Sequence, residues 1–219
     1  MNFYGICKRL LDIAFSLAAI LLLSPVVAVI TVVVKLSSKG PIIFKQERAG
    51  KDGKPFTFYK FRTMKVDIDP FGPSPKSPDD PRLTRIGRFL REYSLDELPQ
   101  LFNVLKGDMS IVGPRPLYVA QIAEWNERQK KRLLVKPGLT GLAQICGRGE
   151  LTVEEKLELD VKYVESAGFL LDLKILLRTA ALIVRRSGIY EKRYSRTEFT
   201  RGDRNRAGRT VNTTKEPGK

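Results

Sequence analysis

From residue 13 to residue 34 the chain reads IAFSLAAILLLSPVVAVITVVV, a run without a single charged side chain. As a helix of roughly 22 residues it would extend about 33 Å at 1.5 Å per residue, enough to cross the apolar layer of a bilayer. A cleavable signal sequence fits less well: the run exceeds the usual apolar core of such signals, and no small-residue cleavage pattern follows it. Pro25 removes one backbone donor and presses its ring on the preceding turn. A kink or break is therefore expected at Ser24-Pro25, where the serine hydroxyl can take up the carbonyl left free. Basic residues flank both ends, Lys8 and Arg9 before the run and Lys35, Lys39, Lys45 and Arg48 after it. By the positive-inside rule this symmetry favours a re-entrant helix with both ends facing the cytoplasm. A simple span is the alternative, since a proline in mid-membrane is tolerated in ordinary spans too.

The remainder of the 219 residues suffices for one core of ordinary size. With 39 Lys+Arg against 24 Asp+Glu, a formal charge of +15, the expected partners are anionic: nucleic acid, a phospholipid surface or phosphorylated small molecules. Neither a helix-turn-helix nor basic residues interleaved with exposed aromatics is evident, so no nucleic-acid partner is expected. The absence of histidine excludes imidazole triads and His-ligated metals, leaving acid–base and nucleophilic work to carboxylates, Lys, Tyr, Ser or Cys. Cys7 and Cys146 lie far apart and suggest neither a disulfide framework nor a zinc site, which fits a reducing compartment.

Beyond the apolar run, residues 42–46 and 56–61 read as two short strands joined by a turn over 50–53. The GKDGKP turn lacks the spacing and the Ser/Thr of a phosphate-binding loop. Residues 66–81, rich in proline and aspartate, read as an exposed loop; solvated acid groups explain it more simply than a metal site. Apolar residues recur at helical spacing over 83–105, with an interruption near Ser94 and a stop at Gly107. MSIVGPRPL then supplies a short apolar strand and a rigid turn that presents Arg115 between two prolines. Amphipathic helices are expected over 117–134 and 151–165, separated by a glycine-rich loop that holds Gln144 and Arg148. A last helix over 169–186, edged by Lys174, Arg178, Arg185 and Arg186, suits either the lipid headgroup layer or a buried position with a basic rim. The fold class is thus α/β, mostly α: a re-entrant membrane helix over 1–39, a cytosolic catalytic domain with short strands and amphipathic interfacial helices over 40–190, and a basic, disordered tail over 191–219.

Within this basic chain, SLDELPQL (94–101) sets two carboxylates side by side. Ser94 with Glu97 reads as a capping box, or Asp96 as the N-cap itself, with Pro99 harmless in the first turn. The helix dipole and Arg91 would both keep such a carboxylate ionised. An ionised aspartate is a competent nucleophile toward phosphorus, provided cations absorb the charge of the transition state. Lys60, Arg62, Arg91 and Arg115 are candidates for that role, and Glu97 for an oxygen ligand to Mg²⁺. Taken alone, a Ser-x-Asp-Glu start is more simply a helix cap, and Lys60 with Arg62 a solvated strand face.

The conjunction of motifs is more specific. FKQERAGKDGKPFTFYKFRTM (44–64), RLTRIGRFLREYSLDELPQLFNVLKGDMSIVGPRPL (82–117), KPGLTGLAQICGR (136–148), the segment 160–163 and LLDLK (170–174) together resemble the monotopic polyprenol-phosphate phosphoglycosyl transferases, the bacterial initiating sugar transferases. The resemblance runs to about residue 190 and includes the Ser24-Pro25 break of a re-entrant helix. It implies that Asp96 attacks the β-phosphate of a UDP-sugar, releases UMP and carries the phosphosugar until polyprenol (undecaprenyl) phosphate accepts it. It also implies that Glu97 binds Mg²⁺, that Lys60, Arg91 and Arg115 surround the phosphates, and that Arg148 and Asp172 match further positions of the family; with Arg62 from the residue-level reading and Gln144 from the glycine-rich loop, these make up the expected substrate-binding set. The chain is expected to be the minimal form of the family, at the cytoplasmic face of the inner membrane in contact with phospholipid; a homodimer stays open.

Overall fold

The computed structural model describes residues 3–69, 72, 74–185 and 190. The tail expected over 191–219 lies outside the described residues.

The apolar run forms the centre of α1 (Phe3–Ser37), one continuous helix that passes through Pro25. The expected break does not divide it. Pro25 cannot donate to the carbonyl of Leu21 four residues back, and the Ser24 hydroxyl donates to that oxygen instead at 2.9 Å. Asp12, Ser16, Ile30 and Val34 are buried and Ala19, Ile20 and Val27 half-buried, a stripe at three-to-four spacing along nearly the full helix. The opposite side exposes Leu10, Leu11, Leu21, Leu22, Val29 and Val32.

Strands β1 (Ile43–Ala49) and β2 (Pro55–Phe61) pair antiparallel, Gln46 facing Phe58 and Phe44 facing Lys60, around a tight turn at Lys51–Gly53. The chain then leaves on the acidic loop, closed at its neck by a bridge between Met64 and Leu83 and pinned by Arg82 on Asp80 at 2.7 Å. Helix α2 (Arg85–Glu92) starts where the Thr84 hydroxyl accepts from the Gly87 amide, at 2.8 Å. Gly87 lets this helix sit on the backbone of Thr63: a Cβ there would fall 1.9 Å from the Thr63 carbonyl oxygen. A 3₁₀ turn, Leu95–Glu97, leads into α3 (Gln100–Lys106), which Gly107 ends in the left-handed region at φ +96°.

β3 (Ser110–Val112) pairs parallel with β4 (Gly138–Thr140), which forms within the stretch expected to be a glycine-rich loop. Between them the expected helix over 117–134 is not formed. Its place is taken by 3₁₀ turns at Val119–Glu124 and Lys131–Leu134 flanking α4 (Glu127–Lys130), because Asn126 caps a fresh start by accepting from the Gln129 amide. α5 (Leu142–Cys146), α6 (Val153–Ser166) and α7 (Phe169–Arg185) follow, the last two close to the expected bounds.

Two apolar clusters hold these pieces. Phe56, Phe58, Leu101, Val104, Met109, Ile111, Val112, Tyr163 and Ile175 join the hairpin, α3, β3, α6 and α7. Ile30 and Val34 of α1 close on Phe61 and Leu90. Polar locks add direction. Asp12 accepts from the Ile111 amide and the Ser110 hydroxyl at 2.9 and 3.1 Å, tying α1 to β3. Arg9 donates to the carbonyls of Val104 and Leu105 at the end of α3. Asn103 of α3, fully buried, donates to Thr57 O and accepts from Tyr59 N, fixing that helix against β2.

Candidate active site

The locked interface of β2 and α3 decides where the two carboxylates stand. They lie in the 3₁₀ turn before α3, and neither caps it: Pro99 is the N-cap, and Ser94 is left-handed at φ +56° with no capping bond from its side chain. Asp96 and Glu97 are 5% and 9% exposed, an environment that only charge partners make tolerable. Lys60 on β2 supplies the first, 2.7 Å from Glu97 Oε1 and 3.6 Å from Asp96 Oδ2. Arg115, between Pro114 and Pro116, supplies the second at 2.9 Å from Glu97 Oε1.

The partners divide the pair electrostatically. Burial pushes Glu97 up, but Arg115 and Lys60 together overcome it and hold its carboxyl well below the usual range. Burial also pushes Asp96 up; Lys60 opposes, the neighbouring Glu97 adds to the rise, and the net direction is upward. The sequence had suggested that a helix dipole would keep Asp96 low; with the residue sunk in a turn ahead of the helix, desolvation prevails. Lys60 is lowered by the same burial, with both carboxylates opposing.

Arg91 and Arg148 complete the cationic wall. Arg91, on α2, reaches Thr63 Oγ1 at 3.4 Å, and Arg148, itself left-handed at φ +49°, reaches Ser94 Oγ at 3.3 Å. Lys60, Arg91, Arg115 and Arg148 all bear on the dyad's charge, so the structure brings these expected residues together. Gln144 is buried on α5 with both amide atoms lacking a partner among the described residues. Two expected residues are occupied elsewhere. Arg62 donates to the carbonyls of Ser38 and Lys39 at 2.7 and 2.9 Å, finishing α1. Asp172, on α7, accepts from Tyr163 and Tyr4 at 2.8 Å each and pairs with Lys8, tying α7 to α6 and to the start of α1.

Residues to which the sequence gives no role in the site hold the frame: Asn103 behind the dyad, Arg48 stacked 3.7 Å over the Tyr118 ring, and a buried pair, Arg132 and Asp160, behind Arg115; of these only Arg132 lies outside the motifs. Among the described residues no three His, Cys, Asp or Glu side chains cluster to hold a metal. The dyad fits a hard divalent cation shared with phosphate oxygens, the usual arrangement for Mg²⁺, and not an all-protein cage.

A buried carboxylate pair in a cationic wall, on a body carrying a helix long and apolar enough to cross a membrane, makes a site suited to an anionic ligand. The chain belongs to the bacterial sugar transferase family, whose model matches residues 3–186. It is 46% identical over 193 residues to the uncharacterized sugar transferase EpsL of Bacillus subtilis, covering 88% of this chain and 95% of that protein. It is also 46% identical over 180 residues to the UDP-glucose:undecaprenyl-phosphate glucose-1-phosphate transferase of Escherichia coli, covering 78% of this chain and 39% of that protein. A protein of the same description from Caulobacter vibrioides is 40% identical over 195 residues, 84% of this chain and 72% of its own length.

Proposed function

We propose that the protein transfers a phosphosugar from a UDP-sugar to polyprenol phosphate in two steps, through an ester on Asp96. An Asp96 oxygen attacks the β-phosphorus, the bond to the bridging oxygen breaks, and UMP leaves with that electron pair. An oxygen of polyprenol phosphate then attacks the same phosphorus, displacing the Asp96 carboxylate and yielding a polyprenol diphosphate sugar, the first membrane step of glycoconjugate or exopolysaccharide assembly.

The observation that carries this reading is the unequal treatment of the two carboxylates. Glu97 is gripped by two cations, whereas Asp96 has only the 3.6 Å approach of Lys60 among the described residues and sits desolvated, which leaves its oxygens available and makes the ionised form a better nucleophile. Lys60, Arg91, Arg115 and Arg148 provide for the charge of a diphosphate in the first step and of a lipid phosphate in the second. Glu97, with the substrate phosphates, would hold Mg²⁺, which supplies further neutralisation of phosphate charge.

The membrane side supports the same reading. Phe89 on α2, Phe102 on α3 and Leu170, Leu173 and Leu177 on α7 are exposed, in addition to the apolar face of α1, surface suited to lipid tails and a polyprenol chain. The buried stripe of α1 runs from Asp12 to Val34 against one body, and Tyr4 and Arg62 hold its two ends to that body. That arrangement favours a re-entrant helix with both ends at the cytoplasmic face of the inner membrane.

The test is UMP release across a panel of UDP-sugars with undecaprenyl phosphate and Mg²⁺. Wild-type protein given donor alone gains the mass of one phosphosugar on the peptide containing Asp96, and Asp96→Asn releases no UMP. Full turnover by the Asn variant sinks the covalent step, and release of free sugar phosphate without lipid acceptor would make the protein a hydrolase.

A further inference from the structure

Arg115 stands in a turn whose backbone is fastened at successive points. The Gly113 amide donates to Thr140 O, the Gly138 amide to Pro114 O, both at 2.8 Å, and the Ala49 amide to Leu117 O at 2.9 Å. The Arg115 carbonyl itself is held by a side chain: Arg132 Nη2 donates to it. Arg132 is 3% exposed, lies 4.9 Å over the Trp125 ring, and grips Asp160 Oδ2 through Nε and Nη2 at 3.1 and 2.7 Å. Asp160, 2% exposed, leaves its other oxygen without a hydrogen-bond partner among the described residues.

A buried ion pair with an idle acceptor is a poor way to gain stability, since apolar side chains of similar volume often do as well or better. What an apolar pair cannot do is fix a carbonyl. We infer that Arg132 and Asp160 are positioning residues for the reaction: they set the Arg115 peptide, and through it the guanidinium that grips Glu97. The two ends of this chain of contacts are the buried Asp160 carboxylate on α6 and the dyad, joined through Arg132 and Arg115. Each link needs the planar fork of an arginine, since Arg132 must serve a carboxylate and a carbonyl at once.

The inference rests on the phosphosugar-transfer reading and is tested in the full-length chain by UMP release and thermal unfolding. Arg132→Lys keeps a cation beside Asp160 but cannot span to the Arg115 carbonyl. Its kcat should fall about 10- to 100-fold, with KM for the UDP-sugar within about threefold and Tm close to wild type. The double variant Arg132→Lys/Arg115→Met should be no slower than Arg115→Met alone, because both substitutions break one chain of contacts. Asp160→Asn, close in shape, is the second variant and carries the same expectation. A kcat within about twofold of wild type in Arg132→Lys, or losses that multiply in the double variant, would overturn the positioning role. So would collapse of the fold in both Arg132→Lys and Asp160→Asn, which would mark the pair as purely structural. A wild-type protein that releases no UMP from any donor instead sinks the functional reading itself, an outcome distinct from active wild type with an equally active Arg132→Lys.

Discussion

Ser94 and Arg148 are both left-handed non-glycine residues, at φ +56° and +49°, and they touch at 3.3 Å beside the dyad. Backbone held in this region costs free energy and persists where surrounding contacts over-determine it, as in catalytic sites. Ser94→Gly removes about 1 kcal/mol of strain but adds a comparable unfolded-state entropy, so stability should stay within about 1 kcal/mol of wild type. Arg148 loses its hydroxyl partner, and UMP release should slow about tenfold. Thermal unfolding and steady-state kinetics on one preparation check both halves. At this scale the dyad, Lys60 and Arg115 were legible because they are set within long local motifs. Arg62 pairs with Lys60 by strand alternation, and its amide still donates to Ile42 O, but its guanidinium is drawn to the Ser38 and Lys39 carbonyls and away from the dyad. Arg132 and Asp160 were illegible: their partnership spans 28 residues of chain and exists only once α6 packs against the Arg115 turn.

Helix α1 presents the same lesson for an element. Its apolar run predicts a helix, yet the end of that helix is made by a distant side chain. The chain leaving a helix carries carbonyls without internal donors, and Arg62 supplies donors to those of Ser38 and Lys39, just past the end of α1. Arg62→Lys loses the fork of a buried guanidinium and its charged hydrogen bonds to these carbonyls, at a cost of about 1–3 kcal/mol. Detergent-solubilised protein should therefore unfold at lower temperature, while KM for the UDP-sugar stays unchanged; a raised KM with normal stability would return Arg62 to the substrate. The segment 117–134 failed as one helix for a different reason. Its apolar spacing is helical, but the capping box at Asn126 and Gln129 restarts the chain, and local side-chain bonds outcompete the longer helix. The helices over 153–166 and 169–185 were legible because spacing and caps agree, the Thr152–Glu155 box opening the first of them.

For the whole molecule, the long apolar helix α1 and the rest of the described residues form one packed unit. The half of α1 before Pro25 is locked to β3, α3 and α7 through Asp12, Arg9 and Tyr4, and the half after it to α2 and β2 through Ile30 and Val34. In a chain stripped of Cys7 and Cys146 by serine substitution, cysteines placed as Phe3→Cys and Lys39→Cys should react with a membrane-impermeant maleimide from the same, cytoplasmic side. Labelling from opposite sides would make α1 a simple span. By itself the sequence determined the long apolar helix, the hairpin, the contiguous carboxylates and a charge balance suited to anionic partners, because each follows from local pattern: hydropathy, alternation, adjacent acids and excess positive charge. Only the tertiary structure decided that the dyad sits in a buried turn and not on a helix cap, that Arg62 and Asp172 hold α1, and that Arg132 reaches Arg115. Those outcomes depend on which distant groups meet when water is expelled, and desolvation and pairing have no counterpart in the linear order of residues.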